Sequence, residues 1–205
     1  MSTDEKTGIQ ALARVAPDKP MRPKQPRKLE YEYSRDGTQA LIASLDVASG
    51  QIIAAYINKT RTEVDFAAHI KAVIETDPEA EWTFVCDQLN THKSEGLVKL
   101  VADLCGLSDL ELGKKGRSGI LRSMPTRMAF LEDPSHRVRF VYTPKHASWL
   151  NQIECWFSFL TRRLLKHNSF SSVADLRTRI LDFIELYSQL WAKPINWTYD
   201  GIRNQ

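Results

Sequence analysis

Cysteine is scarce in this chain: Cys86, Cys105 and Cys155 are three among 205 residues, and no CxxC or Cys/His ligand spacing joins them. An odd, scattered set of thiols excludes a disulfide framework and a structural zinc site, and it fits a reducing compartment. Long apolar runs are also missing. No stretch approaches the ~18 residues that a membrane helix needs, and the opening Met-Ser-Thr-Asp-Glu-Lys lacks the apolar core of a signal peptide. The expectation is therefore a cytoplasmic protein without a membrane partner. No internal repeat is found. Net charge is slight, +3 from 28 Lys plus Arg against 25 Asp plus Glu, and as a total it identifies no polyanionic partner.

What is present suits one globular unit. Hydrophobic residues at 42% and charged residues at 26% can build a single core, and the length fits one domain over 1–205. The charge, however, is uneven. Residues 6–35 hold eight basic side chains against three acidic ones, and residues 113–139 hold seven against two. The first of these regions includes Pro17, Pro20, Pro23 and Pro26. Prolines at that spacing exclude a helix or an interior strand, so 17–36 is expected to be an extended basic surface loop.

The rest of the chain alternates strand and helix signals. Residues 2–13 carry a first strand, and residues 38–47 and 51–58 pattern as a hairpin around Ala48-Ser49-Gly50. Thr60 or Thr62 can cap a helix over 63–76, and an apolar strand follows at 82–86. Ser94 opens a helix to about 104, 138–142 is another strand, Ser148 is placed to cap a helix over 149–166, and a last helix covers 173–192. This order predicts an α/β fold, a mixed five-stranded sheet flanked by helices. Glycines and prolines break the rhythm at 106–136, which reads as an insertion containing one or two short helices.

Three carboxylates are candidates for chemistry. Asp87 directly follows the strand at 82–86, at the carboxyl end where ligand sites collect in open α/β sheets; turn formation is the commoner role of a lone Asp. Glu154 lies about one and a half turns into the 149–166 helix, on a polar face with Asn151, Ser158 and Arg162, beside Trp149 and Trp156. The third acid is Asp4 or Asp46. If the first strand runs parallel to the 82–86 strand, Asp4 lies beside Asp87, while Asp46 falls at a hairpin turn. Such an oxygen-rich set suits Mg²⁺ or Mn²⁺, and two such ions ~3.5–4 Å apart can drive in-line displacement at a phosphodiester.

Three blocks carry a resemblance: Thr-Asp4-Glu5-Lys6-Thr, Asp87-Gln-Leu-Asn-Thr-His92, and Thr143-Pro-Lys145-His146-Ala-Ser-Trp-Leu-Asn151-Gln-Ile-Glu154-Cys-Trp156-Phe157. Together they resemble the DDE transposases of bacterial insertion sequences in the Tc–mariner superfamily. The resemblance implies an RNase H-like fold, two-metal cleavage of DNA at transposon ends and strand transfer into target DNA, typically at a TA dinucleotide. It implies that Asp4, Asp87 and Glu154 bind two Mg²⁺ or Mn²⁺ ions, with Asn151, Trp156 and His92 in support. Lys145, His146, Arg162, Arg163, Lys114 and Lys115 are the residues placed nearest DNA, and a homodimer is expected to pair two ends in a nucleoid-associated complex.

Two departures stand out. Residues 88–153, 66 in all, separate Asp87 from Glu154, which is more than in compact members of the superfamily. The helix-turn-helix modules that ordinarily precede the catalytic domain are also missing, and only three residues stand ahead of Asp4. The first strand is thus expected to lose ladder hydrogen bonds on its entry side. A fragment, a split reading frame or a decayed copy fits, and the alternative function is a non-catalytic remnant that binds DNA or full-length transposase and modulates it. A stand-alone RNase H-type nuclease is a further alternative, which the third block disfavours.

Overall fold

The computed structural model describes residues 1–17, 19–26, 28, 30–107, 112–145, 147–166 and 168–196. Five strands, β1 (Ser2–Arg14), β2 (Tyr33–Leu45), β3 (Ile52–Asn58), β4 (Trp82–Cys86) and β5 (Val138–Tyr142), form one sheet in the order β3-β2-β1-β4-β5. The first three are antiparallel neighbours, whereas β4 runs parallel to β1 and β5 parallel to β4. Helices α1 (Glu63–Ile74), α2 (Glu95–Leu104), α3 (Met124–Leu131), α4 (Ile153–Leu160) and α5 (Val173–Leu190) complete the described architecture.

Helices cover both faces of the sheet, so its central strands are apolar on either side. On one face Phe66, Ile70, Val73, Leu97, Val98 and Val101 of α1 and α2 pack against Phe84 and Phe140. On the other, Ile153, Phe157 and Leu160 of α4 and Leu176, Ile180 and Phe183 of α5 meet Ile9, Ala11, Leu41 and Ala43. Thr62 starts α1 with a reciprocal capping box to Asp65, which satisfies two otherwise orphaned groups at that helix end.

The expected basic loop is a continuation of the β1–β2 hairpin. Strand β2 begins at Tyr33, five residues before the 38–47 run, and inter-strand pairing goes on outward through Lys19 with Lys28 and Arg22 with Gln25. The prolines permit this because they occupy none of the donor positions: the N–H groups used belong to Lys19, Arg22, Gln25 and Lys28. Pro23 and Lys24 form the tip, with Lys24 at φ 63, as the second central residue of a type II turn requires.

The helix expected over 149–166 is also different. A 3₁₀ turn at Ser148–Leu150 leads to an extended Asn151, and the α-helix starts only at Ile153. Ser148 makes no side-chain cap; the side chain of Asn151 is committed instead to β1, and that commitment sets where the helix can begin. After Leu160 the chain continues as a π-helical turn, Thr161–Leu165. Within 106–136 the described residues form a 3₁₀ turn, Ile120–Arg122, and the single helix α3.

Phe84 is fully buried and stacks on Phe140 with ring centroids 5.2 Å apart. Phe84→Ala should lower stability by about 3–5 kcal/mol, measured by urea unfolding. A loss under 1 kcal/mol would mean that this core collapses around the cavity.

Candidate active site

Strands β1 and β4 set the first two carboxylates side by side. Their direct ladder is short, with Ser2 opposite Val85, yet Asp4 is not left loose. It is paired through β2, opposite Ala43, and its Oδ2 accepts a hydrogen bond from Asn151 Nδ2 at 3.2 Å. Its Oδ1 accepts from the Glu5 N–H at 2.8 Å. Asn151 is itself wholly buried. Its Nδ2 also donates to the Thr3 carbonyl, its Oδ1 accepts from Ser2 Oγ, and Ser2 Oγ in turn accepts from the Ile153 N–H. One asparagine thus ties the first turn of α4 to β1.

Asp87 follows β4 and accepts from the Leu89 N–H at 2.9 Å. Its Oδ1 also lies 2.8 Å from Nδ1 of His92, which the 3₁₀ turn Asn90–Lys93 places beneath it. The other ring nitrogen, Nε2, lies 2.7 Å from Glu5 Oε2, and Glu5 Oε1 pairs with Arg61 at 2.9 Å. The alternation of a strand explains how one tripeptide serves both sides of the site: Asp4 and Lys6 share a face, and Glu5 points the opposite way.

Asp4, Asp87 and His92 bring their ligand atoms within 4.8 Å of one another, the tightest such grouping among the described residues. His92, however, has a carboxylate on each nitrogen and is wholly buried. With both nitrogens donating, it has no lone pair left for a cation. It is a brace between two carboxylates, and the remaining oxygens of the grouping are those of Asp4 and Asp87. Glu154 stands in the first turn of α4, not one and a half turns in, and outside the 4.8 Å grouping.

The charges reinforce this division. Burial, with the charge of Asp87 next, pushes the Asp4 carboxyl up to about 7. Burial would raise Asp87 too, but hydrogen bonds from His92 and the Leu89 N–H outweigh it and hold the group below its ordinary value. Burial works against the His92 cation, but Asp87 and Glu5 overcome it and raise the imidazole to about 9. Glu154 is raised chiefly by desolvation; Lys6 opposes and the charge of Asp87 adds. Burial and the charge of Asp87 thus resist ionisation of Asp4 and Glu154, and all three groups offer oxygen, the donor set that hard divalent cations prefer.

A cleft of about 650 Å³ opens beside Asp87, bounded by Gln88, Asn90, Lys93, Thr143 and Lys145 and closed on its far side by Met124, Pro125 and Met128. Of the residues expected near DNA, Lys145 stands on the rim of this cleft, and His146 lies outside the described residues. Arg162 and Arg163 are exposed on the π-helical turn. Arg163 lies over the Phe159 ring, and Arg162 lines a different, aromatic groove with Trp156 and Tyr187. Lys114 bridges to Ser118 in a tight turn, and Lys115 pairs with Glu63 at 3.8 Å. Trp156 does not reach the carboxylates; it is buried against Phe157 and Tyr187 in the core. Asp46 binds the Ala48 and Ser49 N–H groups of its hairpin turn. Reading the chain alone missed Ser2, Glu5, Arg61 and Lys93. Only Glu5 had a signal, its position between Asp4 and Lys6.

The His92 brace has a measurable signature. Its stabilisation is complete below pH 6.5, the ordinary imidazole value, and is lost as pH rises through about 9. By NMR titration, the His92 ring should change protonation near pH 9 in the parent chain and distinctly lower in Glu5→Gln. An unchanged midpoint would remove Glu5 from the brace.

Comparison with known proteins agrees with this geometry. Residues 2–177 match the family model described as DDE superfamily endonuclease. Among solved structures, the Mos1 transposase paired-end complex with left transposon end is 12% identical, with a TM-score of 0.55 over 89% of this chain and 46% of that one. The Mos1 mariner paired end complex with Mn is 13% identical, with a TM-score of 0.56 over 90% and 47%. A pre-cleavage Mos1 transpososome is 12% identical, with a TM-score of 0.55 over 89% and 47%. The likeness is one of fold, the RNase H-like sheet of a transposase catalytic domain, and the chain spans about half the length of these proteins. No curated protein matches the chain significantly. Since the family match takes in both adjacent-strand aspartates and the glutamate of α4, the chain belongs to the DDE superfamily endonucleases.

Proposed function

We propose that this is the catalytic domain of a Tc–mariner-type transposase, which cuts DNA at the ends of a mobile element and joins the freed 3′-hydroxyl to target DNA. The observation that carries the reading is the convergence of Asp4 and Asp87 at neighbouring parallel strands, with Glu154 on the helix that Asn151 locks to the same strand.

Asp4, Asp87 and Glu154 are the residues that would hold divalent metal. They fit it: all three offer carboxylate oxygens, the donors a hard divalent cation prefers, burial and the charge of Asp87 resist ionisation of Asp4 and Glu154 in the absence of a cation, and His92 is committed elsewhere. Two bound Mg²⁺ or Mn²⁺ ions would activate the attacking water or hydroxyl and stabilise the departing oxygen of a phosphodiester. The protein's own share is positioning. His92 and the Leu89 N–H fix the Asp87 carboxylate, Asn151 fixes Asp4, and the start of α4 at Ile153 presents Glu154. The DNA backbone would run along the cleft past Lys145, with Lys114, Lys115, His146, Arg162 and Arg163 as further contacts. The exposed pair of Lys115 with Glu63 is too weak to withhold that lysine from a phosphate. Two copies would be needed to hold two transposon ends. Among the described residues no helix is long and apolar enough to cross a membrane.

The test is nicking of a labelled duplex carrying the inverted repeat that flanks the gene, with Mg²⁺ or Mn²⁺. Asp87→Asn and Glu154→Gln should each lower the rate on the order of 10³-fold or more with the circular dichroism spectrum unchanged. Variants as active as the parent would overturn the assignment, and a parent inert with both ions would favour the non-catalytic remnant.

A second expectation follows from Asp4. The stability its raised pKa brings is present below pH ~3.8 and lost as pH rises through about 7, because the folded state then holds a buried charge. Without metal, the melting temperature should fall across that window, and Mn²⁺ should restore it more at pH 8 than at pH 5. Asp4→Asn should flatten both effects. A Mn²⁺ response that survives Asp4→Asn unchanged would exclude Asp4 as a ligand.

A further inference from the structure

Lys93 is the least expected residue of the cleft. It is 6% exposed, yet among the described residues its ammonium has neither an ion pair nor a hydrogen bond. It lies over the ring of Tyr142, whose centroid is 5.3 Å away, and feels the charges of Asp87 and Glu132 at longer range. The stem is buried while the ammonium reaches the cleft, and the cation–π contact offsets part of the cost of its partial desolvation. The fold nevertheless holds the residue firmly. Lys93 ends the 3₁₀ turn that carries His92, and Tyr142 donates its hydroxyl hydrogen to the His92 carbonyl at 2.7 Å.

A second polar group nearby is in the same condition. Thr143, 6% exposed, lines the same cleft, and its Oγ1 is buried without a partner. Its backbone is engaged, the N–H donating to the Cys86 carbonyl and the carbonyl accepting from Gln88 Nε2, which fixes the residue at the end of β5. Native proteins seldom leave such groups unmatched. A cation that makes no ion pair within 4 Å among the described residues and a buried, unpartnered hydroxyl bound one cleft with Asp87 on its edge.

We propose that Lys93 and Thr143 form a phosphate seat that holds the substrate strand at the phosphodiester next to the one cut, between the catalytic carboxylates and helix α3. The idea rests on the DNA-cleaving reading above and adds to it a substrate-binding pair. The ammonium supplies the point charge, and the hydroxyl donates to a second phosphate oxygen. The cleft reaches from Asp87 to Met124 and Met128, so helix α3 becomes the far wall of the substrate channel. Lys145 at the rim would contact an adjoining phosphate. Lys93 is a binding and positioning residue here, since nothing places it on the reacting atoms.

The test is salt-dependent binding of a fluorescent single-stranded pentanucleotide to the full chain in EDTA, beside the duplex nicking assay. For single strands the slope of log K against log salt changes by about 0.7 per phosphate contact. Lys93→Met should reduce the slope by about that amount and weaken binding about tenfold or less, Lys93→Arg should keep the slope, and Thr143→Val should weaken binding severalfold at an unchanged slope. These readouts need no catalysis, so a chain that shows them without nicking keeps the seat and loses the endonuclease assignment. A chain that nicks DNA while Lys93→Met binds and cuts with parental slope and rate loses the seat. If Lys93→Met fails to fold, Thr143→Val decides, and parental affinity in that variant overturns the proposal.

Discussion

The tie between Asn151 and β1 is the constraint on which the site depends. A buried asparagine side chain reaches Ser2, Thr3 and Asp4 at once, and Ser2 returns a hydroxyl oxygen to the first free N–H of α4. Buried amide groups are costly unless satisfied, so these bonds stand or fall together. They fix the spacing between a strand and a helix that are 147 residues apart along the chain at the Asp4–Asn151 contact. They also explain why the helix starts late. The chain at Asn151 must stay extended for its side chain to enter the sheet, and α-helical geometry resumes two residues on.

On that frame the electrostatics divide into two halves. Asp87 is held ionised by a buried imidazolium, which is itself held by Glu5 and indirectly by Arg61. Asp4, held by the Asn151 side chain and the Glu5 N–H, has its charge resisted by burial and by Asp87. A carboxylate fixed in the charged form beside one that resists charging is an arrangement a divalent cation would relieve. Lys93 on the adjacent wall presents a different case, a cation without a direct ion pair that lies over the Tyr142 ring and acts on Asp87 at longer range. Asp87 and Lys93 line the same cleft.

Much of the fold was legible because it rests on local patterns. The apolar run at Trp82–Cys86, the turn chemistry of Asp46 and Ser49, and the cap at Thr62 are each short-range signals, and the structure follows them. The hairpin extension through Lys19 and Lys28 was hidden by its prolines, since their effect depends on which N–H groups face the partner strand. The late start of α4 was hidden for a different reason. Ser148 has the composition of a cap, and only a contact with distant β1 makes Asn151 the boundary.

The sequence by itself determined the order of strand and helix signals, the two basic regions and the position of Asp87 at the end of an apolar strand, because residue type and periodicity act over a few neighbours. Tertiary structure alone decided which carboxylates meet. It put Glu5 behind His92, moved Glu154 to the head of its helix, sent Trp156 into the core and left Lys93 unpaired at the cleft. Those outcomes depend on hydrogen bonds and burial between segments far apart in the chain, and a carboxylate's charge or a lysine's availability is set by the groups that folding brings around it.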